Sequence, residues 1–516
     1  MQGSQDRVIV IGGGSMGAGI AAVAVRAGYA VTLVEPDPKA RESAARRAQG
    51  AEIVSELPRS DAVLAIEAVP ERLDLKLPVF TQMEGKLAKA VLATNTSSLS
   101  VGEIAESTGE PERVIGLHFF NPPEKMALVE IVLHRTSSDE ALNVARTFVE
   151  RIGKTGIVAA DTPGFIVNRV ARPFYLQAMR ALEARVAEIE EMDALARGAG
   201  FRMGPFELMD LIGLDINLAT TESIYERTGY DRLAPVDVQR ALIAQGRLGR
   251  KSGAGFYAYD GAPPRLDLRL PSRDKPNDDE LVAVIGAGTL AEQLAVALAQ
   301  HFSPVERAAD EEQVSMLERQ PTIAIDVGDG SSDRTGAIAR LDAALPAECA
   351  IFVDAYATDP DACAKRAKHP DRIVGYGIVG SFDEQDGIEI VDAETTSDET
   401  LALAQEMFEA TGHGAVLVEN VPGLFLGRVI GSIVNEAVAV VGEDVASASD
   451  VDTAMQLGTN YPLGPIAWGR EIGGRRIARI LRRIAEHDGA QFAPHRALWV
   501  LDMEEEVTAE ETDTTR

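Results

Sequence analysis

The sequence predicts a doubly wound α/β sheet of the Rossmann type followed by an all-α domain, with the whole unit duplicated in tandem. Three observations carry that expectation. A short buried strand, a glycine turn, a helix and a second strand follow one another in "RVIVIGGGSMGAGIAAVAVRAGYAVTLVEPD". Strands then alternate with helical stretches up to residue 162, after which apolar residues recur at helical spacings. The plan then returns at a constant offset of 259, where "EIVDAETTSDETL" parallels "EIVLHRTSSDEAL" and "VPGLFLGR" parallels "TPGFIVNR".

The first strand, Val8 to Ile11, runs straight into Gly12-x-Gly14-x-x-Gly17. Three glycines allow a tight turn, a close approach of backbone to a pyrophosphate, and close packing of helix on strand. The helix that follows presents free N–H groups to phosphates. Glu35 ends the second strand, 18 residues after Gly17, where an acid reaches the adenosine ribose and repels a 2′-phosphate. The expected cofactor is therefore NAD rather than NADP; the alternative is a purely structural glycine turn.

Further strands are expected at 62–69, 90–99 and 114–120, with helical stretches at 71–89 and 101–108 between them. In such sheets ligands sit beyond the carboxyl ends of the strands. Those ends carry Glu67–Glu71, Asn95–Ser98 and His118–Asn121. In "GLHFFNPPEKMALVEIV", His118 ends one apolar run and Glu130 interrupts the next. A carboxylate in a β-type run is costly to bury unpaired, and an imidazole partner offsets that cost. An acid/base pair is one reading; a core histidine and an edge-strand glutamate is the other.

Taken together, "IGGGSMGAGIA", "IEAVPERLDLK", "TNTSSLSV", "GLHFFNPPEKMALVEIV", "DTPGFIVNR", "MGPFELMDLIGLD" and "GRKSGAGFYAY" resemble the L-3-hydroxyacyl-CoA dehydrogenases, in family order over residues 6–260. The resemblance implies a catalytic His118, oriented by Glu130, with Ser97 and Asn168 at the reacting oxygen. It implies cofactor contacts from Gly12, Gly14, Met16, Gly17, Glu35, Glu71, Lys76, Asn121 and Lys251. Ser97 and Lys76 are implied to touch the acyl-CoA substrate. The implied reaction is NAD-dependent oxidation of an L-3-hydroxyacyl-CoA to the 3-oxoacyl-CoA, in fatty-acid or aromatic-acid degradation. Ordinary structural readings stand beside these: Ser97 as a helix cap, Asn168 as a backbone partner in a helix opened by Thr162-Pro163, Glu71 and Lys76 as a solvated helix start, Lys251 as a surface lysine.

The expected domains are 1–162 (NAD-binding), 163–260 (helical, substrate and dimerisation), 261–279 (linker), 280–420 (a degenerate second copy of the first), 421–500 (a second helical domain) and 501–516 (an acidic, disordered tail). In the second copy Gly286 and Gly288 persist, but His118 maps to Gly377, Asn168 to Gly427 and Glu130 to Glu389, so that copy is read as catalytically dead. Because the family pairs through its helical domains, the two halves are expected to form an internal pseudo-dimer, with further homo-oligomerisation left open. One departure stands out. Only 32 positions separate Glu35 from Glu67, whereas the family carries a longer segment there that contacts the CoA nucleotide. A basic cluster, Lys39, Arg41, Arg46 and Arg47, either replaces those contacts or is a solvated helix face.

A net charge of −30 argues against a nucleic-acid partner, and the chain lacks the run of about 18 apolar residues that a membrane span needs. The first strand begins without a preceding leader pattern, and Cys349 and Cys363 are the only cysteines, which predicts a cytoplasmic protein. Two competing functions remain: a dehydrogenase of a free hydroxy acid or sugar acid, suggested by the shortened segment, and a non-catalytic NAD-binding scaffold. No metal is expected.

Overall fold

The computed structural model describes residues 6–261, 265–272, 281–328 and 334–503. It contains two sheets, each followed by helices, so the predicted duplication of an α/β plus all-α unit is present. The first sheet comprises β1 (Arg7–Ile11), β2 (Ala30–Val34), β3 (Glu52–Val54), β4 (Leu64–Glu67), β5 (Val91–Thr94), β6 (Val114–Phe119), β7 (Leu128–Leu133) and β8 (Thr155–Ala160), in the order 3-2-1-4-5-6-7-8. The strands are parallel except for the antiparallel β6–β7 pair. The second sheet comprises β9 (Val282–Gly286), β10 (Val305–Ala308), β11 (Ile323–Gly328), β12 (Ala350–Asp354), β13 (Ile373–Gly377), β14 (Gly387–Asp392) and β15 (Gly414–Leu417), in the order 10-9-11-12-13-14-15. Its single antiparallel pair is β13–β14.

The central strands are buried along their length, as a sheet covered by helices on both faces requires. The segment between Glu35 and Glu67 is short but organised. Asp37 caps the helix Pro38–Arg47 by accepting from the Ala40 N–H at 2.7 Å, and β3 then adds an edge strand that the sequence reading lacked.

One helix starts later than expected. Residues 163–166 turn rather than coil, with Gly164 at φ +80° and Phe165 at φ +47°, and the helix begins at Val167. The N–H groups of Ile166 and Val167 instead donate to Glu130 Oε1, at 3.1 and 3.0 Å. The second unit repeats this turn with Gly423 and Leu424 at positive φ, and Phe425 and Leu426 donate to Glu389.

The halves meet through their helices. Leu426–Gly442 of the second unit packs along Arg172–Glu183 of the first, within one continuous apolar core. Gly458 of helix Ala448–Thr459 abuts Leu128 and Val167, behind β7. A buried ion-pair network crosses the contact: Arg169 bonds Glu436 and Glu443, each at 2.7 Å, and Arg232 bonds Glu436 at 2.6 Å. Of the segment read as a linker, residues 265–272 run beside the second sheet, where the Leu268 carbonyl accepts from the Gly414 N–H; 262–264 and 273–280 lie outside the described residues, as does 504–516 of the acidic tail. Among the described residues no helix is long and apolar enough to cross a membrane, and no cluster suited to a metal ion occurs. Cys349 and Cys363 are buried free thiols.

Candidate active site

A cavity of about 1180 Å³ opens at the carboxyl ends of β1, β4, β5 and β6. At one end lie Gly12, Gly14, Met16 and Glu35; at the other lie Glu71, Ser97, His118, Asn121 and Asn168.

The glycine turn is shaped by close approach. Gly12 sits at φ +104°, and a Cβ there would come within 2.6 Å of the Ala68 carbonyl oxygen. A Cβ on Gly17 would overlap the Gly12 carbonyl oxygen, so this glycine is needed for packing behind the turn rather than for lining the cavity. In front of Gly14 the space is open, and Gly14 gives the helix Ser15–Arg26 no side-chain cap, which leaves that helix end available to phosphate oxygens. Glu35 holds the loops at the ribose position, accepting from the N–H groups of Gly13 at 2.7 Å and Asp37 at 2.8 Å. These residues fit a dinucleotide.

His118 and Glu130 face each other across the antiparallel β6–β7 pair. The His118 Nδ1 lies 2.5 Å from Glu130 Oε2. Glu130 is fully buried, and its second oxygen takes the two N–H groups at the start of the Val167 helix, so the buried carboxylate is satisfied on both oxygens. With Nδ1 engaged, Nε2 is the ring nitrogen left for the cavity that His118 lines. Phe120 and Phe165 flank the imidazole, with ring centroids 4.5 and 5.7 Å away.

Glu71 organises the neighbouring turn. Its Oε1 accepts from the N–H groups of Ser97 and Ser98, at 2.8 and 2.9 Å, and from the Thr96 hydroxyl at 2.7 Å. Burial alone would raise its pKa, but Lys76 and these hydrogen bonds bring it below the ordinary carboxylate value. The Ser97 carbonyl accepts from Asn168 Nδ2 at 3.4 Å, which ties the β5 turn to the helical domain. The cap of the following helix is Ser100, not Ser97, so Ser97 lacks the ordinary role that competed with a functional one.

Two expected contacts besides Gly17 fall outside the cavity. Lys76 is 1% exposed, and its ammonium is held by Glu67 at 2.8 and 3.0 Å and by Glu71 at 3.3 Å. It stands behind the wall as the counter-charge of two acids and does not line the cavity. Lys251 pairs with Asp215 at 2.5 Å, beside Gly213 of the helical domain, and does not line the cavity. Two residues of the basic cluster are committed to structure. Arg41 donates to the carbonyls of Glu35 and Pro36, Arg47 pairs with Glu124 and bonds the Ser15 carbonyl, and none of the four side chains lines the cavity. Lys86, which the sequence reading passed over, does line it, as does Thr220 of the helical domain. The signal for Lys86 is only a shared helix face with Val79 and Gln82.

In the second unit the equivalent centre is filled. Tyr356 lies 259 residues after Ser97, and its hydroxyl donates to Glu389 in place of an imidazole. Its ring occupies the space of the missing side chains: a Cβ on Gly377 would lie 2.7 Å from it, and one on Gly427 2.8 Å. Burial pushes the Glu389 carboxyl up to about 7.

A glycine turn and the Glu35 carboxylate lie at one end of the first cavity, and a buried imidazole–carboxylate pair at the other. Fold and site together define a dinucleotide-dependent oxidoreductase. The model of the 3-hydroxyacyl-CoA dehydrogenase NAD-binding domain matches residues 7–57 and 51–162, two stretches that meet at the shortened segment. The model of the 3-hydroxyacyl-CoA dehydrogenase C-terminal domain matches twice, at 164–259 and 423–513. The chain is 34% identical to a 3-hydroxyadipyl-CoA dehydrogenase of Escherichia coli K12, over 94% of each chain. It is 36% identical to a 3-hydroxybutyryl-CoA dehydrogenase of Mycobacterium tuberculosis, over 50% of this chain and 100% of that one. The crystal structure of a 3-hydroxybutyryl-CoA dehydrogenase from Escherichia coli K12 superposes with a TM-score of 0.73 at 31% identity, covering 96% of this chain and 98% of that one. The chain belongs to the 3-hydroxyacyl-CoA dehydrogenase family, as an NAD-dependent enzyme in tandem form.

Proposed function

We propose that the first unit oxidises an L-3-hydroxyacyl-CoA to the 3-oxoacyl-CoA. The observation that carries this reading is the His118–Glu130 pair opening into the cavity that also holds the glycine turn. NAD, when bound, supplies the hydride acceptor. His118 takes the proton of the substrate hydroxyl through Nε2. Glu130 fixes the tautomer through Nδ1 and stabilises the imidazolium that forms. Ser97 and Asn168 donate hydrogen bonds to the reacting oxygen as it becomes a carbonyl. Glu71 fixes the Ser97 turn, and Phe120 and Phe165 exclude water around the imidazole.

The names of the similar enzymes, 3-hydroxybutyryl and 3-hydroxyadipyl, favour a short-chain or dicarboxylic acyl group, and a place in fatty-acid or aromatic-acid degradation. The packing of Leu426–Gly442 on Arg172–Glu183 supports an internal pseudo-dimer. The buried free thiols fit a cytoplasmic location.

A second reading has one observation behind it. Arg41 and Arg47 are committed to internal partners, which leaves Lys86 as the lysine on the cavity and few cations for a CoA nucleotide. That favours a free hydroxy acid. NADH oxidation with acetoacetyl-CoA beside free acetoacetate separates the two. Turnover of the thioester supports the first reading, and turnover of the free acid alone replaces it with the second.

A further inference from the structure

The second unit repeats the cleft but reverses its charge. Helix Gly474–Asp488 takes the place that Leu214–Thr228 has in the first unit; each follows an eight-residue helix and starts after a glycine of positive φ, Gly473 or Gly213. Leu214–Thr228 carries Asp215, Glu222 and Glu226 against Arg227. Gly474–Asp488 carries Arg475, Arg476, Arg479, Arg482 and Arg483 against Glu486 and Asp488.

Two of these arginines close the fold. Arg476 bonds both Asp354 oxygens at 3.1 Å, and Arg483 donates to the carbonyls of Ala355 and Thr358 at 2.7 Å. They pin the helix over the Tyr356 plug. Arg475 and Arg482 are exposed and make no ion pair among the described residues. Both line a cavity of about 610 Å³ with Trp499, an indole left 57% exposed, opposite Glu486 and Asp502. An adjoining cavity of about 340 Å³ shares Arg475 with it and is walled by the retained glycine turn. There Gly286 is at φ +126°, with a Cβ blocked 2.8 Å away by the Gly328 carbonyl, and Gly288 faces open space, as Gly12 and Gly14 do in the first unit. Matching strand registers place Ala309 after β10 where Glu35 follows β2, so the residue at that position carries no carboxylate.

We propose that this second cleft binds a nucleotide carrying at least a diphosphate, without hydride chemistry. The Trp499 indole offers a plate for the base. Arg475 and Arg482 neutralise phosphate oxygens, and the glycine turn lets those oxygens approach the backbone. Alanine in place of the ribose acid tolerates a further phosphate on that sugar. Tyr356 occupies the space a reacting substrate would need. Free ADP, NAD and the nucleotide portion of CoA share this chemistry.

Calorimetric titration of the full chain with ADP, NAD and CoA, read beside Trp499 fluorescence, tests the proposal independently of the catalytic reading, because His118→Ala leaves this cleft intact. The expected result is two equivalents per chain for at least one of the three, with quenching of Trp499 by one of them. Arg475→Ala with Arg482→Ala weakens that equivalent by roughly a hundredfold, the loss of two charge-assisted contacts at about tenfold each, and leaves dehydrogenase turnover unchanged. Trp499→Phe removes the quench and keeps the stoichiometry. A single equivalent with all three nucleotides, and no quenching of Trp499 by any of them, overturns the proposal. So does equal quenching by inorganic diphosphate, which reduces the cleft to a basic patch. Quenching only in a chain ending at Met503 also overturns it, and assigns the trough to the acidic C-terminal segment.

Discussion

His118 and Glu130 stand twelve positions apart in sequence and directly opposite each other in the sheet. Their pairing was legible because a buried carboxylate in an apolar run demands a partner and the turn between the two runs is short. What the sequence could not show is the second set of contacts to Glu130, the Ile166 and Val167 N–H groups, which arrive from the helical domain. Glu130→Gln keeps the shape and loses the anion; kcat with a 3-oxoacyl-CoA substrate should fall by about 10²–10⁴, with KM changed far less, in steady-state NADH oxidation. The burial of Lys76 was not legible in the sequence, because it depends on Glu67, nine positions earlier and on another element. Lys76→Met therefore leaves two acids without their counter-charge, and its first effect should be on thermal stability rather than on KM for NAD. Glu389 gives a pH test. Its folded pKa of about 7 is raised above the unfolded value, so its contribution is fully present below the ordinary glutamate pKa and is lost as pH rises through 7. The stability difference between wild type and Glu389→Gln, measured by denaturant unfolding, should shift toward the variant by on the order of 3 kcal/mol across that window. A flat difference would contradict the raising of this pKa by burial.

At the scale of elements, the alternation of strand and helix was plain in the sequence, while boundaries and edges were not. β3 was missed because three half-exposed residues carry too little periodicity to announce a strand. The late start of the Val167 helix was missed because Thr162-Pro163 has the composition of a helix opening; Gly164 and the positive φ of Phe165 override it so that two N–H groups can turn to Glu130. Asp193 shows a similar device. It accepts from the Phe206 and Glu207 N–H groups, each at 3.0 Å, and from the Tyr257 hydroxyl at 2.9 Å, and so caps the helix Pro205–Ile212 from another element. Asp193→Ala should cost on the order of 2 kcal/mol of stability, a lost cap plus unsatisfied buried N–H groups, visible as a lower denaturation midpoint.

At the scale of the molecule, the offset of 259 announced both the duplication and the decay of the second centre. It did not announce Tyr356, whose role depends on the simultaneous loss of side chains at Gly377 and Gly427. Nor did it announce the Arg169–Glu436 pair, because neither charge has its partner within its own half. Arg169 follows Asn168, so the second unit holds the helix that carries a residue of the first unit's centre. Glu436→Ala leaves Arg169 buried without this partner and should destabilise the chain by roughly 3–5 kcal/mol, with a loss of turnover that Glu436→Asp partly restores.

On the proposed reading, one His118-based centre, in the first unit, performs all of the chemistry. NADH oxidation by acetoacetyl-CoA in His118→Ala, with NADH binding checked on the same sample, tests it most directly. The prediction is intact NADH binding with turnover reduced by about 10³ or more. Turnover within tenfold of wild type would contradict it and move the reaction away from His118.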